Sequence, residues 1–196
     1  STKILSYFES SADFILSKKI GPTVSNLSST RALADITNKL GGSFTASAVG
    51  EVNVVIEMKR VGAIIGGEGN GGIIYPQIHY GRDALVGVAL FLSLLVERKK
   101  SVSDIRASYP SYFMSKNKII LKKEVDVAQI FKTIKRKYRN NNMSTVDGLK
   151  IDFSEEWIHL RKSNTEPIIR VITEAKTQVS ADDLAKKFIN EIKQLF

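Results

Sequence analysis

The chain contains no cysteine, which removes disulfides, thiolate zinc sites, iron–sulfur clusters and cysteine nucleophiles at once. Its only histidines are His79 and His159, too few for a multi-histidine metal site. No long hydrophobic run is present either. The longest spans residues 84–96, is interrupted by Gly87 and Ser93, and falls short of the roughly 18–20 apolar residues a membrane helix needs. It therefore reads as a buried core helix, and no membrane partner is expected. Signal-peptide and lipidation motifs are absent, and the opening at Ser1 suggests a processed or cut-down chain. Lack of cysteine suits a reducing compartment, so a cytoplasmic location is expected.

What the sequence has in excess is positive charge: 29 Lys and Arg against 20 Asp and Glu, a net +9. Such a balance favours anionic partners, among them nucleic acid and phosphorylated metabolites. The densest clusters are Arg98-Lys99-Lys100 and Lys135-Arg136-Lys137 with Arg139. Both close apparent helices, where cations complement the helix dipole. Polyanion contact and a solvated helix end remain alternative readings of these clusters.

The first half alternates strand and helix. Helical patterning covers residues 11–19, 28–40, 51–60 and a long segment from Arg82. Extended patterning covers 22–27, 43–49, 62–65 and 73–75. A sheet covered by helices is the economical arrangement. Near Ser103, a candidate cap for a short helix, the pattern changes, and Pro110 breaks the chain. Beyond it run a strand over 118–122, a helix over 126–139, and strands over 148–153, 157–161 and 168–174. A final helix runs from Ser180 to Phe196, with Ser180 as its cap. This second part reads as a three- or four-stranded sheet with two helices on one face. The expected domains are residues 1–108 and 109–196, with a hinge over 108–115.

Two segments carry chemistry. Arg161-Lys162-Ser163-Asn164-Thr165-Glu166-Pro167, followed by Ile168-Ile169-Arg170, joins two strands through hydroxyl, amide and guanidinium donors. Phosphate needs such convergent donors, and arginine binds its oxygens bidentately. A polar hairpin turn bonding its own backbone would use the same residues. The second segment is Gly66-Gly67-Glu68-Gly69-Asn70-Gly71-Gly72. Its glycines allow close ligand approach, and Glu68 reads as a lone carboxylate on a flexible loop, able to accept bonds from sugar hydroxyls. No Walker lysine is present, and an extended segment follows in place of a helix.

The segment from Arg161 to Arg170 resembles the phosphate-binding loop of the α-D-phosphohexomutases, patterned R-x-S-x-T-E-P-x-x-R, which lies in the family's last domain. The glycine-rich segment resembles the sugar loop G-E-x-S-G-H of the third domain, and Val49-Gly50-Glu51-Val52 the V-G segment before it. Order and spacing also match across essentially the whole chain. The resemblance implies an α/β third domain, with a layered sheet and covering helices. After it should come a small α+β domain, with a TATA-box-binding-protein-like sheet and two helices.

By the same resemblance, Arg161, Ser163, Asn164, Thr165 and Arg170 would bind substrate phosphate, while Glu68 and Asn70 would read the sugar. Asn70 stands where the family has serine and Gly72 where it has histidine; His79 is a candidate replacement. The family's catalytic phosphoserine loop and its magnesium loop have no counterpart. Thr45-Ala46-Ser47 echoes the former only by coincidence. No catalytic residue and no metal ligand is therefore expected in this chain. The full-length enzyme would use Mg2+ and a hexose bisphosphate activator, and its N-terminal catalytic half would be the partner. A nucleic-acid-binding module and a non-catalytic sugar-phosphate sensor are the alternatives.

Overall fold

The computed structural model describes residues 2–121 and 125–195, with side chains from Phe8 onward. The sequence-based strand end at Lys122 and helix end at Phe196 lie outside the described residues. The chain divides into two compact units, Ser1–Ser111 and Tyr112–Phe196.

The first unit contains, in order, α1 (Thr2–Lys18), β1 (Thr23–Asn26), α2 (Ala32–Lys39), β2 (Phe44–Ser47) and α3 (Glu51–Val61). It continues with β3 (Ile65–Glu68), β4 (Gly72–Ile74), α4 (Ala84–Arg98) and α5 (Val102–Ala107). The sheet order is β2-β1-β3-β4, with β2 and β3 parallel to β1 and β4 antiparallel to β3. Parallel strands need crossovers, and α2 and α3 supply them. One face of the sheet packs Ile65 and Ile73 against Phe8, Ala12, Ile15 and Leu16 of α1, with Leu33 and Leu90. The other packs Val24 and Ile74 against Val54 and Met58 of α3. Both faces are thus covered, as parallel strands require.

Several local expectations shift. The strand read at 62–65 begins at Ile65 and runs through Gly66 and Gly67 to Glu68. Those glycines are strand residues because neighbours crowd them. A Cβ on Gly66 would stand 2.4 Å from Met58 Sδ, and one on Gly67 2.2 Å from the Gly72 carbonyl oxygen. The short helix α5 is capped by Ser101, in a reciprocal box with Asp104, and not by Ser103. The apolar segment 84–96 forms α4, but only Gly87, Leu90 and Leu94 are buried. Leu85, Val88, Leu92 and Val96 are exposed, so α4 is a one-sided surface helix and not a core helix. Buried Tyr109 donates to Asp13 Oδ2 at 2.7 Å, and Arg98 donates to Asp13 Oδ1 at 2.7 Å, tying the unit's end to α1.

The second unit contains β5 (Phe113–Ile120), α6 (Val127–Lys137), β6 (Asn142–Ser144), β7 (Leu149–Asp152), β8 (Trp157–Lys162), β9 (Ile168–Ala175) and α7 (Gln178–Lys193). Its strands form one antiparallel five-stranded sheet, ordered β5-β9-β8-β7-β6, larger than the three or four strands expected. The additional strand is β6, and β5 starts earlier than the sequence suggested. Ile119, Leu149, Ile151, Ile158, Leu160, Ile169 and Val171 meet α6 through Val127, Ile130 and Ile134, and α7 through Leu184, Phe188 and Ile192. Both helices therefore lie on one face. Asp126 caps α6 by accepting from Ala128 N and Gln129 N. Thr177, not Ser180, caps α7, accepting from Ser180 N.

Candidate functional site

Glu68 is the last residue of β3, and Asn26 the last of the neighbouring parallel strand β1. Parallel strands bring their carboxyl ends to one edge, the position at which open α/β sheets present ligand-binding groups. Glu68 is buried at 7% exposure, so it is not the carboxylate on a flexible loop that the sequence suggested. Its Oε1 accepts from Asn26 Nδ2 at 2.9 Å and from Gly50 N at 3.3 Å. Its Oε2 accepts from Arg82 Nη1 at 3.2 Å. The Asn26 amide is itself fixed, because its Oδ1 accepts from Ser28 N and Ser29 Oγ, each at 3.0 Å. Ser29 Oγ in turn accepts from Gly69 N at 2.9 Å, fastening the start of the turn to the strand end.

Asn70 sits exposed on that turn, its Oδ1 accepting from Gly72 N at 3.1 Å. Glu68 and Asn70 thus share one hairpin, the first held inward and the second outward. His79 lies at the surface beyond it; its Nδ1 accepts from Gly81 N at 2.9 Å, and its Nε2 is 3.1 Å from Asp83 Oδ2. That leaves the imidazole committed to the cap of α4. Asp83 also accepts from Leu85 N and Val86 N, and these bonds with His79 hold its carboxyl below the usual range.

In the second unit, side chains alternate across the sheet. The helix-covered face takes Ile158, Leu160, Ile169, Val171 and Ile119, so Trp157, His159, Arg161, Arg170 and Lys118 point the other way. Register sets Arg161 opposite Arg170 and Arg170 opposite Lys118, a rung of three cations across β8, β9 and β5. The turn joining β8 to β9 is closed by Ser163 N donating to Ile168 O at 3.0 Å. Buried Ser163 also receives the backbone N–H groups of Thr165 and Glu166 on its Oγ, at 3.4 and 3.3 Å. Asn164 and Thr165 are exposed at the tip. Ser163 therefore builds the turn, while Asn164, Thr165 and Arg170 remain open to a ligand.

Arg161 is held from behind: its Nε lies 3.0 Å from the Asp147 carboxylate. Asp147 is anchored through its carbonyl, which accepts from His159 Nε2 at 2.6 Å. Burial pushes the His159 imidazole below its ordinary value, so the neutral tautomer donates this bond. Among the described residues the ion pair of Arg170 is a 4.0 Å one with Glu166. Sequence reasoning missed Asn26, Arg82, Asp147 and Lys118. Lys118 could have been found from the strand alternation once β5 was paired with β9. Asn26 could have been found as the polar residue ending a buried parallel strand.

Among the described residues no group of three or more His, Asp or Glu side chains stands where it could hold a metal ion. Nor is any described helix long and apolar enough to cross a membrane.

Comparison with known proteins matches both units to domains of one family. Residues 7–112 match the family described as phosphoglucomutase/phosphomannomutase, alpha/beta/alpha domain III, and residues 114–191 its C-terminal domain. The phosphoglucosamine/phosphogalactosamine mutase of Sulfurisphaera tokodaii is 33% identical over 194 residues, covering 98% of this chain and 41% of its own length. The phosphoglucomutase/phosphomannomutase of Thermococcus kodakarensis is 31% identical over 163 residues, or 82% of this chain and 35% of its own length. The chain thus spans about two-fifths of the length of such curated relatives. Among solved structures, a phosphoglucomutase/phosphomannomutase family protein from Burkholderia thailandensis superposes with a TM-score of 0.75 at 20% identity, over 97% of this chain and 41% of its own. Parafusin, a phosphoglucomutase from Paramecium, gives 0.71 at 18% identity over 99% and 42%. At these identities the likeness speaks for the fold. With both halves of the sequence matched in order, the chain belongs to the phosphoglucomutase/phosphomannomutase family and carries its third and C-terminal domains.

Proposed function

We propose that this chain is the substrate-recognition half of a phosphohexomutase, an isomerase interconverting hexose 1-phosphate and hexose 6-phosphate. In this reading a phosphoserine of the N-terminal half gives its phosphoryl group to the sugar. A bisphosphorylated intermediate forms and reorients, and the other phosphate returns to serine. Mg2+ would be held by that N-terminal half and would polarise the transferring phosphoryl group. The residues described here do the remaining work of binding and orientation. Arg170, with Arg161, Asn164 and Thr165, grips the phosphate that is not reacting, and Ser163 shapes their turn. Glu68 and Asn70 read the sugar. Grip on a remote phosphate fixes the reacting atoms, and positioning supplies much of phosphoryl-transfer catalysis.

The observation that carries this reading is the cation rung at the hairpin. Two guanidiniums face each other across β8 and β9 and a lysine stands next to them; Asp147 pairs Arg161, while among the described residues no carboxylate lies closer to Arg170 than Glu166 at 4.0 Å. Like charges directly opposite are unfavourable in a sheet, so an anionic ligand is the natural occupant. The helix-end clusters, by contrast, are partly consumed within the fold. Arg98 pairs with Asp13 and Lys137 with Glu191, which favours a mutase over a nucleic-acid module.

The test is phosphorus NMR on the full-length protein with a hexose 1-phosphate, magnesium and a bisphosphate activator. Conversion to the 6-phosphate is expected, with none from this chain alone. Turnover by a contaminant-free preparation of this chain would overturn the division of labour. No turnover of any hexose phosphate by the full-length protein would overturn the mutase reading.

A further inference from the structure

We propose that Arg82 is a positioning residue that sets sugar specificity through Glu68, and that Gly72 is the space that admits it. This inference rests on the phosphohexomutase reading above.

A carboxylate offers about four lone-pair sites for hydrogen bonds. Among the described residues three donors already occupy sites on Glu68: Asn26 Nδ2 and Gly50 N on Oε1, and Arg82 Nη1 on Oε2. One acceptor site is left for a ligand. Glu68 therefore reads a single sugar substituent, and its carboxylate cannot turn to meet another, because donors grip both oxygens. Asn26 and Gly50 belong to the body of the sheet edge. Arg82 is the donor that lies toward solvent, with 42% of its side chain exposed.

The stem of Arg82 is itself fixed at two points on Glu51. Its backbone N donates to Oε1 at 3.1 Å, and its Nε donates to Oε2 at 2.8 Å. These two bonds hold the Glu51 carboxyl below the usual carboxylate range. Between those two anchors the aliphatic chain crosses Gly72. A Cβ there would lie 2.5 Å from Arg82 Cδ and 3.0 Å from Cγ. Gly72 is not among the positive-φ glycines, so its backbone would accept alanine. What alanine would displace is chiefly Arg82, Asn70 Oδ1 standing farther off at 3.3 Å. Gly72, Glu51 and Arg82 thus form one unit whose output is the orientation of Glu68.

The experiment compares kcat/KM of the full-length protein for glucose, mannose and glucosamine 1-phosphates. Arg82→Ala opens a second acceptor site on Glu68 and is expected to shrink the ratio between best and worst substrate about tenfold. Inhibition by inorganic phosphate, read by the separate cation rung, should stay unchanged. Gly72→Ala should reproduce the loss, and the double variant should add nothing to either single one. Arg82→Lys should not restore the ratio, because an ammonium cannot span Glu51 and Glu68 as the planar fork does. Should Arg82→Ala fold poorly, Glu51→Gln loosens the same stem without touching Glu68 and reads the same ratio. An unchanged ratio in folded Arg82→Ala or Glu51→Gln, or additive effects of Gly72→Ala and Arg82→Ala, overturns the proposal while wild-type turnover leaves the mutase reading intact. Absence of wild-type turnover overturns the mutase reading, and this inference with it.

Discussion

The two units solve the same problem, presenting polar groups from a sheet, in opposite ways. In the first, both faces of a largely parallel sheet are covered by helices, so Glu68 and Asn26 emerge only where strands end. In the second, α6 and α7 cover one face, and the other carries Arg161, Arg170 and Lys118 along a rung. An edge site holds a buried carboxylate with three of its acceptor sites filled, by donors distant from it in sequence. A face site holds cations aligned by strand register, with Arg161 braced by Asp147 and Arg170 and Lys118 exposed. The first arrangement suits selective reading of a neutral hydroxyl, the second a strong grip on charge.

The comparison breaks most visibly through the second core. Phe188 is fully buried and stacks on Tyr138 with ring centroids 4.8 Å apart. Phe188→Ala is expected to cost about 3–5 kcal/mol. Hydrogen exchange should show amides of residues 125–195 losing protection while those of the first sheet keep theirs. Next, Arg170→Ala removes the least-paired guanidinium of the rung. A loss on the order of 100-fold in kcat/KM of the full-length enzyme, about 2.7 kcal/mol, is expected for every hexose phosphate alike. A loss confined to one sugar would show that the face site reads identity as well as charge.

Glu68→Gln should act in the opposite sense. It keeps the shape but turns an NH2 toward either Arg82 or Asn26 and Gly50. About a tenfold loss is expected, unequal among glucose, mannose and glucosamine phosphates, with phosphate inhibition untouched. Equal losses across the sugars would reduce Glu68 to a structural residue.

How legible this was from sequence depended on which arrangement was at work. The apolar periodicity of α6 and α7 and the alternation of β7, β8 and β9 showed the second unit's helix-covered face directly. The earlier part of β5 was hidden because its apolar start, Phe113 and Met114, is separated from Ile119 by a polar stretch, with Ser115 and Asn117 on one face and Lys116 on the other. The short, polar β6 offers no pattern at all. In the first unit, a run of glycines imitates a loop, yet Gly66 and Gly67 are strand residues thinned to let Met58 and the β4 backbone approach. The hydrogen-bond cage of Glu68 draws on residues 26, 50 and 82, and only tertiary packing unites them.

Two smaller effects sharpen the contrast. His159 is buried with its imidazole held below the ordinary value near 6.5, so the folded state binds fewer protons than the unfolded one just beneath that pH. Stability of the second unit is expected to be full above about pH 6.5 and to decline as pH falls through that value. His159→Gln should flatten this part of a pH series of unfolding midpoints, and an unaltered slope would assign it to carboxylates instead. Lys118→Ala, which removes an exposed cation, should weaken phosphate inhibition by only about threefold.

The ladder between β5 and β9 has a consequence for how the cation rung comes into being. Arg161 and Arg170 meet in a local hairpin, but Lys118 joins them only when β5 pairs over eight residues with a strand some fifty positions later. Closing so long a loop is slow relative to local pairing. During synthesis the first sheet has all its strands by Ile74, while the second must wait for Ala175. The strand edge that carries Glu68 can thus take shape before the cation rung does.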